Sequence, residues 1–376
     1  MPVRALARIN LAAVERNVRQ LRSSLQPGAA LCAVVKADGY GHGAVRVARA
    51  AQEVGATWLA VVTATEAAEL RAAGLEGPLL IMGALSRQEL PVALAAGGDL
   101  VAWTDEFVDD VLAALAQAPR GEVGIHVKLD TGMGRLGTRN SGAALQLAER
   151  LAGEPGLELR GVMTHLATAD EDPEFLAAQL NLFAPFVEQV RQRWPGALVH
   201  AANSAAILNS PASHFDFVRA GIALYGCDPM GVDPAQRGLE PVLELSSYVA
   251  ALKPARPGES AGYGRRFIAT QDTTIATVPL GYADGFIRAL GNNCDVLIGG
   301  RRHPVVGTVS MDNLTVDVGS ESGLRVGDRV TVIGTDGSER QTAEEVARRV
   351  GTLNYELLCG ISARVPRAYH RDGSPA

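Results

Sequence analysis

The sequence predicts an α/β protein, a TIM (β/α)8 barrel followed by a mostly-β domain, and three observations carry that expectation. Eight short apolar runs alternate with helical stretches as far as Leu224, the pattern a closed barrel of parallel strands requires. The residues able to do chemistry collect where those runs end, and in a barrel those ends share one face. Beyond a segment rich in Pro and Gly, short runs separated by turn pairs take over and read as an all-β domain. An open, doubly wound sheet is the main rival, and it gives no reason for eight units.

The elements follow in order. Leu11, Val14, Val18, Leu21 and Leu25 recur at helical spacing, so residues 10–25 read as an amphipathic helix. The apolar runs are Leu31–Lys36, Trp58–Thr63, Leu79–Gly83, Leu100–Thr104, Ile125–Leu129, Leu159–His165, Leu198–Ala202 and Phe217–Leu224. Helix candidates between them are 43–54, 64–73, 105–117, 140–152 and 173–193. Residues 226–241 hold three prolines and three glycines without periodicity and read as a linker. The expected domains are residues 1–235 and 236–376, with the first few residues able to pair with the second. Strands expected there are Leu243–Leu252, Thr273–Pro279, Val296–Ile298, Val305–Val309, Leu314–Val318 and Arg329–Ile333. Gly299-Gly300 and Asp336-Gly337 supply turns, and one helix is expected at Thr342–Val350.

Bulk properties narrow the function. The 376 residues allow about two domains, and a hydrophobic share of 47% with 20% charged residues is that of an ordinary globular protein. A net charge of −6 without any basic run argues against nucleic acid as a partner. No apolar run is long enough to span a bilayer, and arginines stand where a signal peptide needs its apolar core. Cys32, Cys227, Cys294 and Cys359 are scattered, which gives neither a zinc site nor a disulfide framework. A reducing cytoplasm is the simplest setting.

The sequence is organised around Ala33-Val34-Val35-Lys36-Ala37-Asp38-Gly39-Tyr40-Gly41-His42-Gly43. A buried strand breaks at glycines and leaves Lys36 at its carboxyl end, where desolvation favours the free amine. Such an amine attacks aldehydes to form Schiff bases; a lysine snorkelling from a strand end is the plainer reading. In Ile125-His126-Val127-Lys128-Leu129 alternation sets His126 and Lys128 on one face, where Lys128 needs a partner or a lowered pKa. Arg135, among glycines, suits an oxygen anion, or else a surface ion pair. His165 reads as a general base, a metal ligand or a satisfied core histidine; no second His or Cys stands at ligand spacing, which disfavours metal. Ser204 after one run, with Arg219, Gly221 and Ile222 after the next, could hold one phosphate at the last strands of a barrel. No nucleotide-binding loop is present. Tyr263 sits between two glycines, and a phenol acts as a base only beside positive charge.

Taken together, seven motifs in order resemble the alanine racemases, pyridoxal-phosphate enzymes of fold type III. They are Val35-Lys36-Ala37-Asp38-Gly39-Tyr40-Gly41-His42-Gly43, Lys128-Leu129-Asp130-Thr131-Gly132-Met133-Gly134-Arg135, and Thr164-His165-Leu166-Ala167-Thr168-Ala169-Asp170. Then come Arg219-Ala220-Gly221-Ile222-Ala223-Leu224-Tyr225-Gly226, Gly262-Tyr263-Gly264-Arg265, Pro279-Leu280-Gly281-Tyr282-Ala283-Asp284-Gly285 and Asn354-Tyr355-Glu356. The resemblance spans essentially the whole chain and implies a barrel plus a β-domain. It implies that Lys36 holds pyridoxal 5'-phosphate as a Schiff base, with Tyr40, Ser204, Gly221, Ile222 and Tyr355 on the phosphate. Arg219 would face the pyridine nitrogen as a donor that keeps its own proton. Lys36 and Tyr263 would be the two acid/base groups, with Tyr263 arriving from the second subunit of a homodimer and His165 and Arg219 easing its ionisation. Arg135, Met311 and Tyr282 would bind the substrate, and Lys128 would be open to carboxylation.

Many relatives carry cysteine before the Met-Asp pair, where this chain has Ser310; the departure touches pocket shape rather than reaction. The expected activity is racemisation of alanine, supplying D-alanine for peptidoglycan. Alternatives are a racemase of another small amino acid such as serine, a non-catalytic pyridoxal-phosphate carrier, and a fold-type III decarboxylase of basic amino acids.

Overall fold

The computed structural model describes residues 3–117 and 121–376, which gather into two compact units. One comprises Glu15–Gly39 with Gly43–Leu224; the other comprises the N-terminal residues to Val14, Tyr40–His42 and Tyr225–Ala376.

The first unit is the barrel. The chain enters through β1 (Leu6–Asn10), which belongs to the second unit, and a helix over Leu11–Ser23. Eight parallel strands follow: β2 (Ala30–Val34), β3 (Trp58–Val61), β4 (Leu79–Ile81), β5 (Asp99–Ala102), β6 (Val123–Lys128), β7 (Leu157–Met163), β8 (Leu198–His200) and β9 (Phe217–Ala220). They pair in chain order, and β9 returns to β2 in parallel register. Hydrogen bonds from Asp216 N to Val199 O and from Arg219 N to Ala202 O bridge β8 and β9. All eight strands fall within the predicted apolar runs or within two residues of them. Their neighbours are near-continuously buried because helices cover one face and the barrel interior the other. Helices begin at caps visible in the sequence. Thr63 and Glu66 form a reciprocal capping box, and the side chains of Asn140 and Asp172 accept the amides of Ala143 and Phe175.

The second unit is mostly β. Its large sheet seats β1 between Leu243–Tyr248, antiparallel to it, and Arg367–Arg371, parallel to it. The predicted strand Leu243–Leu252 divides into Leu243–Tyr248 and Ala251–Ala255. The reason is a change of partner: the first piece pairs with Arg329–Asp336 and the second with Thr273–Val278. The strand expected at Val305–Val309 instead runs Arg301–Val306, because its polar first half pairs with Asp295–Ile298 and Gly307, at positive φ, turns the chain.

One ion-pair cluster locks this unit. Asp284 is fully buried and takes both Arg4 guanidinium nitrogens, at 2.6 and 2.8 Å, with the Gly281 amide at 2.9 Å. Burial pushes its carboxyl up, but Arg4 and the amide outweigh burial and hold it below its ordinary value. A depressed carboxyl contributes stability above its unfolded value and loses it as pH falls through the folded one. Asp284→Asn is therefore expected to cost about 2 kcal/mol at neutral pH. Thermal denaturation should show the gap from the unsubstituted chain closing below about pH 4.

Candidate active site

Lys36 opens a backbone segment of unusual hand. β2 ends at Val34, and Ala37, Asp38, Gly39, Tyr40 and Gly41 all have positive φ, between 50° and 80°. Each non-glycine residue held this way costs about 1–2 kcal/mol, so the turn needs support. The Glu66 carboxylate takes the Ala37 amide at 2.7 Å and those of Val62 and Thr63 at 2.8 and 3.0 Å. Asp38 Oδ1 accepts from Ala44 N, and its carbonyl accepts from Gly43 N. Lys36, half-buried, is thus set beyond the barrel strand on a backbone pinned from two sides.

Arg219, on β9, is buried, and among the described residues its hydrogen-bond partners are two backbone carbonyls and two histidine nitrogens, with no carboxylate. These are His200 Nδ1 at 2.7 Å, Ala201 O at 2.9 Å, Thr164 O at 3.0 Å and His165 Nδ1 at 3.2 Å. Burial brings the guanidinium down to about 10, so it still carries its charge at neutral pH. Burial, then Arg219, Lys128, Arg135 and Lys36, hold His165 well below its ordinary value. The charges of four basic side chains from separate barrel segments therefore bear on one imidazole, and Arg219 touches it. Lys128, at the end of β6, is brought to about 8 by burial and by Arg219 and Arg135, against the opposing pull of Asp130.

Loops hold these groups in place. Gln179, buried on the helix Pro173–Arg193, donates to His165 O and to Thr131 Oγ1 and accepts from Ala167 N. Thr131 and Thr164 share a 2.8 Å hydroxyl contact. Asp130 takes the amides of Gly132 and Gly134 and the Arg139 guanidinium, which shapes the loop carrying the exposed Arg135. Ser204 is buried, and its Oγ accepts from Gly221 N at 2.8 Å and Ala223 N at 3.3 Å. Lys36, Lys128, Arg135, His165, Ser204, Arg219, Gly221 and Ile222 thus all lie in the barrel unit.

The other expected residues lie in the β-rich unit. Tyr40 is buried against Tyr225, ring centroids 4.9 Å apart, and 6.1 Å from Tyr355; burial raises its phenol. Tyr263, Tyr282 and Met311 are exposed, Tyr263 at 74%. The Tyr282 and Ala283 amides donate to Ser310 O and Met311 O, which joins the two turns. Gly281 permits that approach, since a Cβ there would meet Met311 O at 2.3 Å. Tyr263 O accepts from Thr308 Oγ1. His200 and Glu66 were not singled out in the sequence. The pleat of β8 was the available signal for His200, and the capping pattern was the signal for Glu66.

Among the described residues, no helix is long and apolar enough to cross a membrane, and no group of three His, Cys, Asp or Glu side chains could hold a metal. Two family descriptions match the chain: "Alanine racemase, N-terminal domain" over residues 9–229 and "Alanine racemase, C-terminal domain" over 242–369. The alanine racemase of Desulforamulus reducens is 40% identical over 366 residues, 96% of this chain and 98% of that one. That of Symbiobacterium thermophilum is 41% identical over 365 residues, 96% of each. The crystal structure of alanine racemase from Bacillus anthracis with bound L-Ala-P superposes with a TM-score of 0.90 at 36% identity, covering 99% of this chain and 96% of that one. With both domains matched and identity sustained along the whole length, the chain belongs to the alanine racemase family of isomerases.

Proposed function

We propose that the chain interconverts L- and D-alanine with pyridoxal 5'-phosphate, using Lys36 and Tyr263 as its two acid/base groups. The observation that supports this most is buried Arg219 at the end of a barrel strand, its Nη2 3.2 Å from His165 Nδ1, with the charges of Lys36, Lys128 and Arg135 also bearing on that ring. An excess of positive charge suits a phosphate and a substrate carboxylate together.

The residues fit the cofactor on chemical grounds. Lys36 offers an amine, Arg219 a buried donor with only neutral partners, and Ser204 a hydroxyl beside the Gly221 amide. Pyridoxal phosphate supplies an electron-withdrawing ring that makes the α-proton of an attached amino acid removable. Lys36 would hold the cofactor and, once released, carry the proton at one face of the α-carbon. Tyr263 of the partner subunit would carry it at the other, with His165 and Arg219 stabilising its phenolate. Tyr40, Ser204, Gly221, Ile222 and Tyr355 would bind the phosphate. Arg135 and the amide of the partner subunit's Met311 would hold the substrate carboxylate, and Tyr282 of the partner subunit would line the substrate site. Arg219, still charged at neutral pH, would donate to the ring nitrogen without giving up its proton, which would restrain side reactions that need stronger electron withdrawal.

Exposed Tyr263, Tyr282 and Met311 on one unit suit burial in a homodimer. With its amine near 8, Lys128 has the neutral form to which carbon dioxide adds with loss of a proton. The resulting anion would orient Arg135. Four unbridged cysteines suit a cytoplasmic supply of D-alanine for cell-wall precursors.

Purified protein incubated with pyridoxal phosphate and L-alanine should yield D-alanine approaching half the total, read by chiral separation. No D-alanine from protein shown to carry the cofactor overturns the assignment of alanine as substrate.

A further inference from the structure

Behind Arg219 a file of polar side chains threads the barrel interior, and the proposed reaction leaves most of it without a task. Arg219 Nη1 lies 2.7 Å from His200 Nδ1, and His200 Nε2 lies 3.0 Å from His126 Nδ1. His126 Nε2 is 3.4 Å from Asp99 Oδ2, which is 3.4 Å from Arg160 Nε. Asp99 opens β5, whereas Arg219 stands near the end of β9, so the file runs from one end of the parallel barrel to the other. The surroundings are shaped for it. Phe217 stacks on the His200 ring at 4.1 Å, and both imidazoles are fully buried. A Cβ at Gly161 would come within 2.7 Å of His126 Nδ1, so glycine makes room for that ring.

Hydrogen-bond bookkeeping gives the file a direction. A guanidinium has donors only, so His200 Nδ1 must accept and its proton must sit on Nε2. That proton is donated to His126 Nδ1, which leaves His126 protonated on Nε2 and donating to Asp99. The order holds only if the far end is an acceptor. Burial and the Arg219 charge keep His200 neutral, consistent with a single ring proton.

We propose that Asp99, braced by Arg160, is a positioning residue for Arg219. It sets both histidines as Nε2–H tautomers and so keeps an acceptor against the guanidinium. With the order reversed, a His200 N–H would oppose an Arg219 N–H and push the guanidinium off its mark. The proposal rests on the reading that Arg219 meets the cofactor ring.

The test is nitrogen NMR of 15N-histidine protein prepared without cofactor, the seven histidines sorted with His126→Gln and His200→Gln. Both rings should be Nε2–H in the unsubstituted chain. Asp99→Ala should populate Nδ1–H and lower kcat about tenfold while KM for alanine stays within about twofold. Asp99→Asn, whose amide oxygen still accepts, should restore the tautomers and most of kcat. Nδ1–H on either ring of the unsubstituted chain overturns the proposal, as does Asp99→Ala with unchanged tautomers or with changed tautomers and full kcat. If Asp99→Ala does not fold, the unsubstituted and Asp99→Asn spectra decide. Failure of the Arg219 reading looks different: Arg219→Lys would racemise alanine at the unsubstituted rate with the wild-type tautomers of His126 intact.

Discussion

A Lys36→Ala chain is expected to lose alanine racemisation by about 10⁴-fold or more and to bind pyridoxal phosphate without a covalent link. The chain holds three lysines, at positions 36, 128 and 253, so the assignment is unusually open to test. Lys253 is exposed on the strand Ala251–Ala255 of the β-rich unit. Lys128 is buried, with Arg219, Arg135 and Asp130 acting on its charge. Lys36, by contrast, lies half-buried beyond a barrel strand's end, on a backbone held by Glu66 and Asp38. Borohydride reduction followed by peptide mass analysis should place the cofactor's mass on the Lys36 peptide, and nowhere in Lys36→Ala. The same adduct on Lys128 would move the site along the barrel and undo the role given to Lys36.

The barrel was legible because its strands are buried on both faces, so each one prints an apolar run, and because capping residues punctuate the helices. The ends of those runs disclosed Lys36, Lys128, His165 and Arg219, since a charged group at such a position needs a purpose. Other features leave no local mark. The left-handed turn after Lys36 includes Ala37 and Tyr40, residues with no intrinsic preference for it, and support from Glu66 comes 29 positions away. His200 and His126 look like ordinary strand residues until β6 and β8 are brought together through β7. Leu243–Leu252 reads as one strand because no Gly or Pro interrupts it at the point where it changes partner. In each case the missing information is a contact distant in sequence, which propensity and period do not encode.

Tyr263→Phe is expected to slow proton exchange at one face of the substrate about 10³-fold more than at the other. Deuterium wash-in from solvent, followed separately from L- and D-alanine, reads the two faces independently. Equal slowing from both enantiomers would end the two-base scheme. The exposure of Tyr263 adds a sharper test, because a general base left in water gains nothing from its surroundings. If Tyr263 serves the partner's site, mixing inactive Lys36→Ala and Tyr263→Phe chains creates heterodimers with one intact site and one doubly defective site. Random exchange makes half the dimers mixed, so activity should recover to about a quarter of the unsubstituted enzyme's. If each chain built its whole site alone, no mixture would contain Lys36 and Tyr263 together, and proven subunit exchange would restore nothing. Recovery therefore measures which chain supplies the phenol, independently of how fast either variant is by itself.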